Sequence, residues 1–151
     1  MKISVIIPAY NEEKNIDKVI KSVKSCGIIN EIIVVDNNSN DKTSEIAKNN
    51  NVKTIFCKKQ GKGYAMKAGI KQATGEIIVF VDGDICNFKE SFIYDLIKPI
   101  INNKADFVKA SFKRDGGRVT ELVAKPLLEL KFPKLKKFKQ PLSGIIAGKK
   151  K

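Results

Sequence analysis

One pattern repeats across the first 85 residues and constrains this chain more than any other feature: a short aliphatic run, a polar turn, then a helical stretch. The runs are ISVII at 3–7, EIIVVD at 31–36, VKTIFC at 52–57 and EIIVFVD at 76–82. They are β-branched and apolar on both faces, the composition of strands buried in a parallel sheet with helices on both sides. Between them, Ile16, Val19, Ile20 and Val23 follow the i, i+3, i+4, i+7 spacing of a helix with one buried stripe. A second helix is expected near 42–50, with Asn40 or Asp41 as its cap. A third, near 62–74, carries the small residues Ala65, Ala68, Gly69 and Ala73, which let a helix lie close to a sheet. A fourth, at about 89–102, is expected to face the core through Phe92, Leu96 and Ile100, with Pro99 kinking or shortening it. Such alternation predicts an α/β fold: a Rossmann-like, three-layer α/β/α domain around a mostly parallel, doubly wound sheet.

The pattern changes after residue 104. A further strand is expected within 105–112, then a Gly-Gly-Arg turn, a helix to about 131, and a basic stretch at 131–139. The final residues, Gly148 to Lys151, read as a tail with no closing element. The whole is expected to form one continuous domain of two regions, residues 1–104 and 105–151.

Composition narrows the classes. A chain of 151 residues suits a single domain. No apolar run approaches the roughly 18 residues of a membrane span. The first run, interrupted by Pro8 and Glu12-Glu13, is too short for a signal peptide, so a cytoplasmic protein is expected. Cys26, Cys57 and Cys86 lie far apart and fit reduced thiols better than a disulfide framework. The chain has no histidine, so it offers no histidine base or metal ligand of its own. Residues 98–151 hold 15 Lys/Arg against 4 Asp/Glu, while the preceding part is nearly neutral. That asymmetry suggests an anionic partner for the basic part. Nucleic acid is disfavoured, because the basic segment carries few aromatics and no recognition motif.

In open α/β sheets, ligands bind beyond the carboxyl ends of the strands. Four segments fall there: Pro8-Ala9-Tyr10-Asn11-Glu12-Glu13, the polar loop that begins at Asp36, the Gly61-Lys62-Gly63 loop, and Asp82-Gly83-Asp84. Asp82 and Asp84 are two apart and would face the same way on an extended chain. Two such carboxylates suit Mg²⁺ or Mn²⁺ holding a diphosphate. Asp36 stands where nucleotide folds often place a ribose-binding acid. Lys62 can meet a phosphate as a point charge. Singly, each feature has a plain reading as a turn or a loop; their recurrence at four strand ends is what points to a nucleotide site. Neither G-x-G-x-x-G after the first strand nor G-x-x-x-x-G-K-[ST] is present, which argues against dinucleotide oxidoreductases and P-loop enzymes.

VIIPAYNEE at 5–13, EIIVVDNNSNDKT at 31–43, GKGYAM at 61–66 and VFVDGD at 79–84 together resemble the GT-A family 2 glycosyltransferases. The resemblance implies a nucleotide diphosphate sugar donor and Mg²⁺ or Mn²⁺, with residues 1–104 as the donor-binding region and 105–151 as an acceptor-binding region truncated at its C-terminal end relative to the family. It places Pro8, Ala9, Asn11, Glu13, Asp36, Lys62 and Asp82 at the donor, Asp84 on the metal, and Asp82 and Asp84 at the catalytic centre. GRVTEL at 117–122, KPLL at 125–128 and QPLSG at 140–144 are similar to the glucosyl-3-phosphoglycerate synthases. That similarity implies glucose transfer from UDP-glucose with retention of configuration, and an anionic small-molecule acceptor, 3-phosphoglycerate, held by Gly117, Arg118, Val119 and Thr120. Two departures stand out: the family draws a histidine metal ligand from beyond the matched segments, and Ile145 stands where many relatives carry an acid. The alternatives are a polyprenyl-phosphate hexosyltransferase at a membrane surface and a non-catalytic nucleotide-sugar-binding fragment. Homo-oligomer formation is left open.

Overall fold

The computed structural model describes residues 1–85, 88–111, 125–133 and 144–150. The elements in chain order are β1 (Ile3–Ala9), α1 (Ile16–Lys24), β2 (Glu31–Asp36), α2 (Thr43–Asn49), β3 (Lys53–Phe56), α3 (Lys62–Gln72), β4 (Ile77–Phe80), α4 (Glu90–Ile101), β5 (Phe107–Lys109), α5 (Lys125–Lys131) and β6 (Ile146–Lys149). The sheet order is β3-β2-β1-β4-β6-β5. β1 to β4 run parallel, and β6 pairs antiparallel with both β4 and β5.

Alternation along β1 divides the core into two. Ile3, Val5, Ile7 and Ala9 pack with α1, α2 and α4, while Ile6 packs with Ala65 of α3 on the opposite face. The sheet is thus the middle layer of the expected three-layer α/β/α domain. Ile16, Val19, Ile20 and Val23 of α1 are all buried, as their spacing predicts. α3 sits close because it presents small residues: a Cβ built on Gly69 would run into Ile6 Cγ2. Its C-terminal end is tied down by a buried knot, in which Gly75 N–H donates to Ser4 Oγ at 2.8 Å and Ser4 Oγ donates to Glu31 Oε2 at 2.5 Å.

Several expectations need correction. The chain's last residues form β6, which lies inside the sheet rather than trailing from it; Ala147 is buried between β4 and β5. The core face of α4 is Ile93, Leu96, Ile97 and Ile100, with Phe92 turned outward, 38% exposed and edge-on to Phe88. Pro99 lies inside α4, which runs only two residues beyond it, to Ile101. α2 begins at Thr43, whose N–H and hydroxyl both donate to Asp41 Oδ1 at 2.9 and 2.5 Å, so Asp41 supplies the capping oxygen from just outside the helix.

Candidate nucleotide-sugar site

The carboxyl ends of β1, β2 and β4 open on one side of the sheet, as parallel strands must. β1 delivers Pro8 and Ala9 there, with Tyr10 and Glu12 just beyond it. β2 delivers Asp36 and Asn37, and β4 leads into Asp82, Gly83 and Asp84. A cleft of about 460 Å³ lies between these ends and the start of α3. Ligand pockets span roughly 300–1,000 Å³. Its walls include Pro8, Ala9, Lys62, Asp82 and Asp84 from the expected set, joined by Tyr10, Glu12, Asn37, Gln60, Gly61, Ala65 and Gly83.

Asp82 and Asp84 do not sit on an extended strand. The strand ends at Phe80 and the chain turns at Gly83-Asp84. Gly83 is buried in this turn, where a Cβ would lie a tight 3.3 Å from the Pro8 carbonyl oxygen. The two carboxylates therefore differ in setting. Asp82 forms an ion pair with Lys62, the first residue of α3, whereas Asp84 is exposed on the turn. Gly144 lies directly against that ion pair, since a Cβ at this position would collide with both Asp82 oxygens and with Lys62 Nζ.

Asn37 holds the floor of the cleft. It is buried; its Nδ2 donates to the carbonyls of Cys57 and Lys59 at 3.1 and 2.8 Å, and its Oδ1 accepts the Gly61 N–H at 2.7 Å. The loop carrying Lys62 is thus fixed from β2. Lys59 in turn lies over the Tyr64 ring, 4.1 Å from its centre.

Three residues expected at the donor do not line this cleft. Asp36 is only 4% exposed, and its Oδ1 accepts the Ser39 N–H at 2.9 Å. Asn11, at a positive φ of 54°, donates its N–H to Ser39 Oγ at 3.0 Å and accepts the Asn40 N–H at 2.9 Å. Glu13 donates its N–H to Asp41 Oδ2 at 3.0 Å and accepts the Lys42 N–H at 3.2 Å. Together they lace the β1–α1 loop to the β2–α2 loop. Burial alone would raise the Asp41 carboxyl pKa, but the hydrogen bonds from Thr43 and Glu13 outweigh it and hold the group below its ordinary value.

Gly117, Arg118, Val119 and Thr120 lie outside the described residues, as does Cys86. Ile145, where many relatives carry an acid, is buried in the core, and its carbonyl accepts the Ala110 N–H at 3.0 Å. Sequence reasoning missed Lys109, at the end of β5. No motif marks it, and only the sheet order brings it toward Asp82.

The site suits a hard divalent cation of a particular kind. Among the described residues, no three or more Asp, Glu, Cys or His converge on one point. The described residues therefore offer one or two carboxylates from the Asp82–Asp84 turn. Mg²⁺ is typically held in that way, with substrate phosphates and water completing its shell.

Comparison with known proteins agrees with this geometry. The glucosyl-3-phosphoglycerate synthase of Petrotoga mobilis is 37% identical over 175 residues, covering 99% of this chain and 54% of that protein. The dolichol-phosphate mannosyltransferase of Pyrococcus furiosus is 33% identical over 166 residues, covering 99% of this chain and 47% of that one. A crystal structure of the Mycobacterium tuberculosis glucosyl-3-phosphoglycerate synthase, in complex with Mn²⁺, UDP-glucose and phosphoglyceric acid, superimposes with a TM-score of 0.92 at 35% identity. That match covers 99% of this chain and 57% of the other. The chain thus spans about half the length of these relatives. The glycosyl transferase family 2 pattern runs over residues 4–149, almost the whole sequence, and the chain belongs to that family.

Proposed function

We propose that this protein transfers glucose from UDP-glucose to 3-phosphoglycerate with the help of Mg²⁺ or Mn²⁺. The observation that carries the proposal is the meeting of Lys62, Asp82 and Asp84 at one cleft beyond the carboxyl ends of parallel strands. The likeness to the M. tuberculosis enzyme, solved with Mn²⁺, UDP-glucose and phosphoglyceric acid, supports the choice of donor, metal and acceptor.

In this reading the donor lies across Pro8 and Ala9, and Asp36, Asn11 and Glu13 shape the nucleoside end through the loops they fasten. Lys62 meets the diphosphate as a point charge, and Asp82 orients the ribose or the sugar. Asp84 would hold the metal, which neutralises the leaving diphosphate when bound. The bond that breaks joins the anomeric carbon to UDP, and the bond that forms joins that carbon to an acceptor hydroxyl. Within this chain the bases on offer for the hydroxyl proton are carboxylates; the donor's own phosphate is the other. Gly117, Arg118, Val119 and Thr120 receive the acceptor, a reading that rests on their sequence and on the positive charge around them. A cytoplasmic setting belongs to the same proposal, and the free Cys57 thiol suits a reducing compartment. Among the described residues, no helix is long and apolar enough to cross a membrane.

The test is incubation with UDP-glucose, Mn²⁺ and 3-phosphoglycerate, followed by mass spectrometry. Glucosyl-3-phosphoglycerate is the expected product. Glucose transferred to a polyprenyl phosphate instead would move the acceptor to a membrane lipid. Bound donor with no product from either acceptor would reduce the role of this chain to donor binding.

A further inference from the structure

Lys109 ends β5, two strands away from β4. It stands opposite Ile146 on β6, and Ile146 stands opposite Phe80 on β4. Residues directly opposite one another on neighbouring strands share a face. Phe80 and Ile146 both belong to the core on the α3 side, with Ala65 of that helix. Lys109 therefore points to the same side. Asp82 follows Phe80 by two residues and meets Lys62 on that side, at the first turn of α3.

The electrostatics agree with this placement. Burial pushes the Lys109 ammonium pKa down, the nearby Lys62 charge pushes it further down, and the Asp82 carboxylate opposes both. Lys109 and Lys62 thus both act on the Asp82 carboxylate from the same face of the sheet. Gly144 passes beside them with no side chain to intervene.

We propose that Lys109 is a second counter-ion for Asp82, a positioning residue that keeps this carboxylate compensated and in place when Lys62 turns to an anionic ligand. The Lys62 side chain is 52% exposed, on a flexible four-carbon stem, so it can leave Asp82. The Asp82 side chain is 30% exposed and less free to follow. Left without a cation, its charge would repel an incoming diphosphate. With Lys109 behind it, Asp82 stays oriented while Lys62 is released. Only the identity of the ligand rests on the nucleotide-sugar reading; the sharing of Asp82 does not.

The sharing is tested without ligand by a thermal cycle of Lys62→Met, Lys109→Met and the double variant. Each single variant should shift the melting midpoint by about 2 °C or less, since the other lysine still serves Asp82. The double variant should fall by clearly more than the two shifts combined, and the excess should vanish in an Asp82→Asn background. Additive shifts would overturn the proposal. The positioning role is tested by UDP binding in Mn²⁺: Lys109→Met should weaken it about tenfold while the ligand-free midpoint stays within that small shift, and Lys109→Arg should restore it. Full affinity in Lys109→Met would overturn that role. A wild-type protein that ignores UDP would instead defeat the donor reading, while the ligand-free cycle still decides whether Asp82 is shared.

Discussion

The Gly61 backbone amide donates to the Asn37 side-chain oxygen at 2.7 Å. Through this bond, and through the two carbonyls that Asn37 Nδ2 engages, β2 fixes the loop that aims Lys62 into the cleft. Asn37→Ala would strip the Gly61 amide and the Cys57 carbonyl of this partner and leave the Lys59 carbonyl only its 3.5 Å bond from Cys57 Sγ. Unpaired buried groups cost about 1–3 kcal/mol each, less where water reaches them. The expected result is a clear drop in melting midpoint with a larger loss of UDP affinity. Loss of stability with unchanged affinity would show that the loop does not depend on Asn37 to present Lys62.

Gly144→Ala tests how closely the backbone approaches the Lys62–Asp82 pair. The new methyl group would collide with both charged side chains, so one must move. Lys62 is the more mobile, and stability should change by only about 1 kcal/mol. Donor affinity should fall about tenfold, read by calorimetric titration with UDP in Mn²⁺.

Gly69→Ala probes the seat of α3. Its Cβ would run into Ile6, a fully buried residue on β1. Alanine is otherwise the better helix former by about 1 kcal/mol. Overpacking costs about 1–3 kcal/mol, and collision in a core this tight should outweigh the propensity gain. Chemical denaturation should therefore show net destabilisation.

Glu31 makes stability depend on acid. Burial alone would raise its pKa, but the Ser4 hydroxyl, the Thr74 N–H and hydroxyl, and the Lys53 charge hold it below its ordinary value. A carboxylate depressed in the folded state stabilises the fold above its unfolded pKa. That contribution is lost as pH falls below about 4.3 and through the lower folded value. Glu31→Gln should flatten this part of the midpoint-against-pH curve. Ser4→Ala should do the same and cost about 1–3 kcal/mol at neutral pH, because it strands the buried Gly75 N–H.

The legible parts of this fold were those with a local signature. β1 and β2 announce themselves by continuous β-branched runs, and α1 by four apolar residues at helical spacing. β6 has no such signature. Gly148 to Lys151 reads as a tail, and Ile146–Lys149 is a strand only because β4 and β5 pair with it from both sides. Lys109 was invisible for the same reason: its place beside Asp82 follows from sheet order and not from spacing. At the site, Lys62, Asp82 and Asp84 were readable because strand ends concentrate ligands in this architecture. The division between cleft-lining Glu12 and loop-fastening Glu13 was not, since adjacent acids on a turn diverge by geometry that a sequence does not display.

The central claim is a metal-assisted donor site at the Asp82–Asp84 turn. Thermal unfolding with UDP-glucose, with and without Mn²⁺, tests it most directly. Binding to the folded state raises the midpoint by mass action, by about 2.7 kcal/mol of stability at a hundredfold excess over the dissociation constant. The account predicts a rise that needs Mn²⁺ and that Asp84→Asn abolishes. A cooperatively melting protein whose midpoint ignores UDP-glucose in Mn²⁺, or rises equally without the metal, would contradict it.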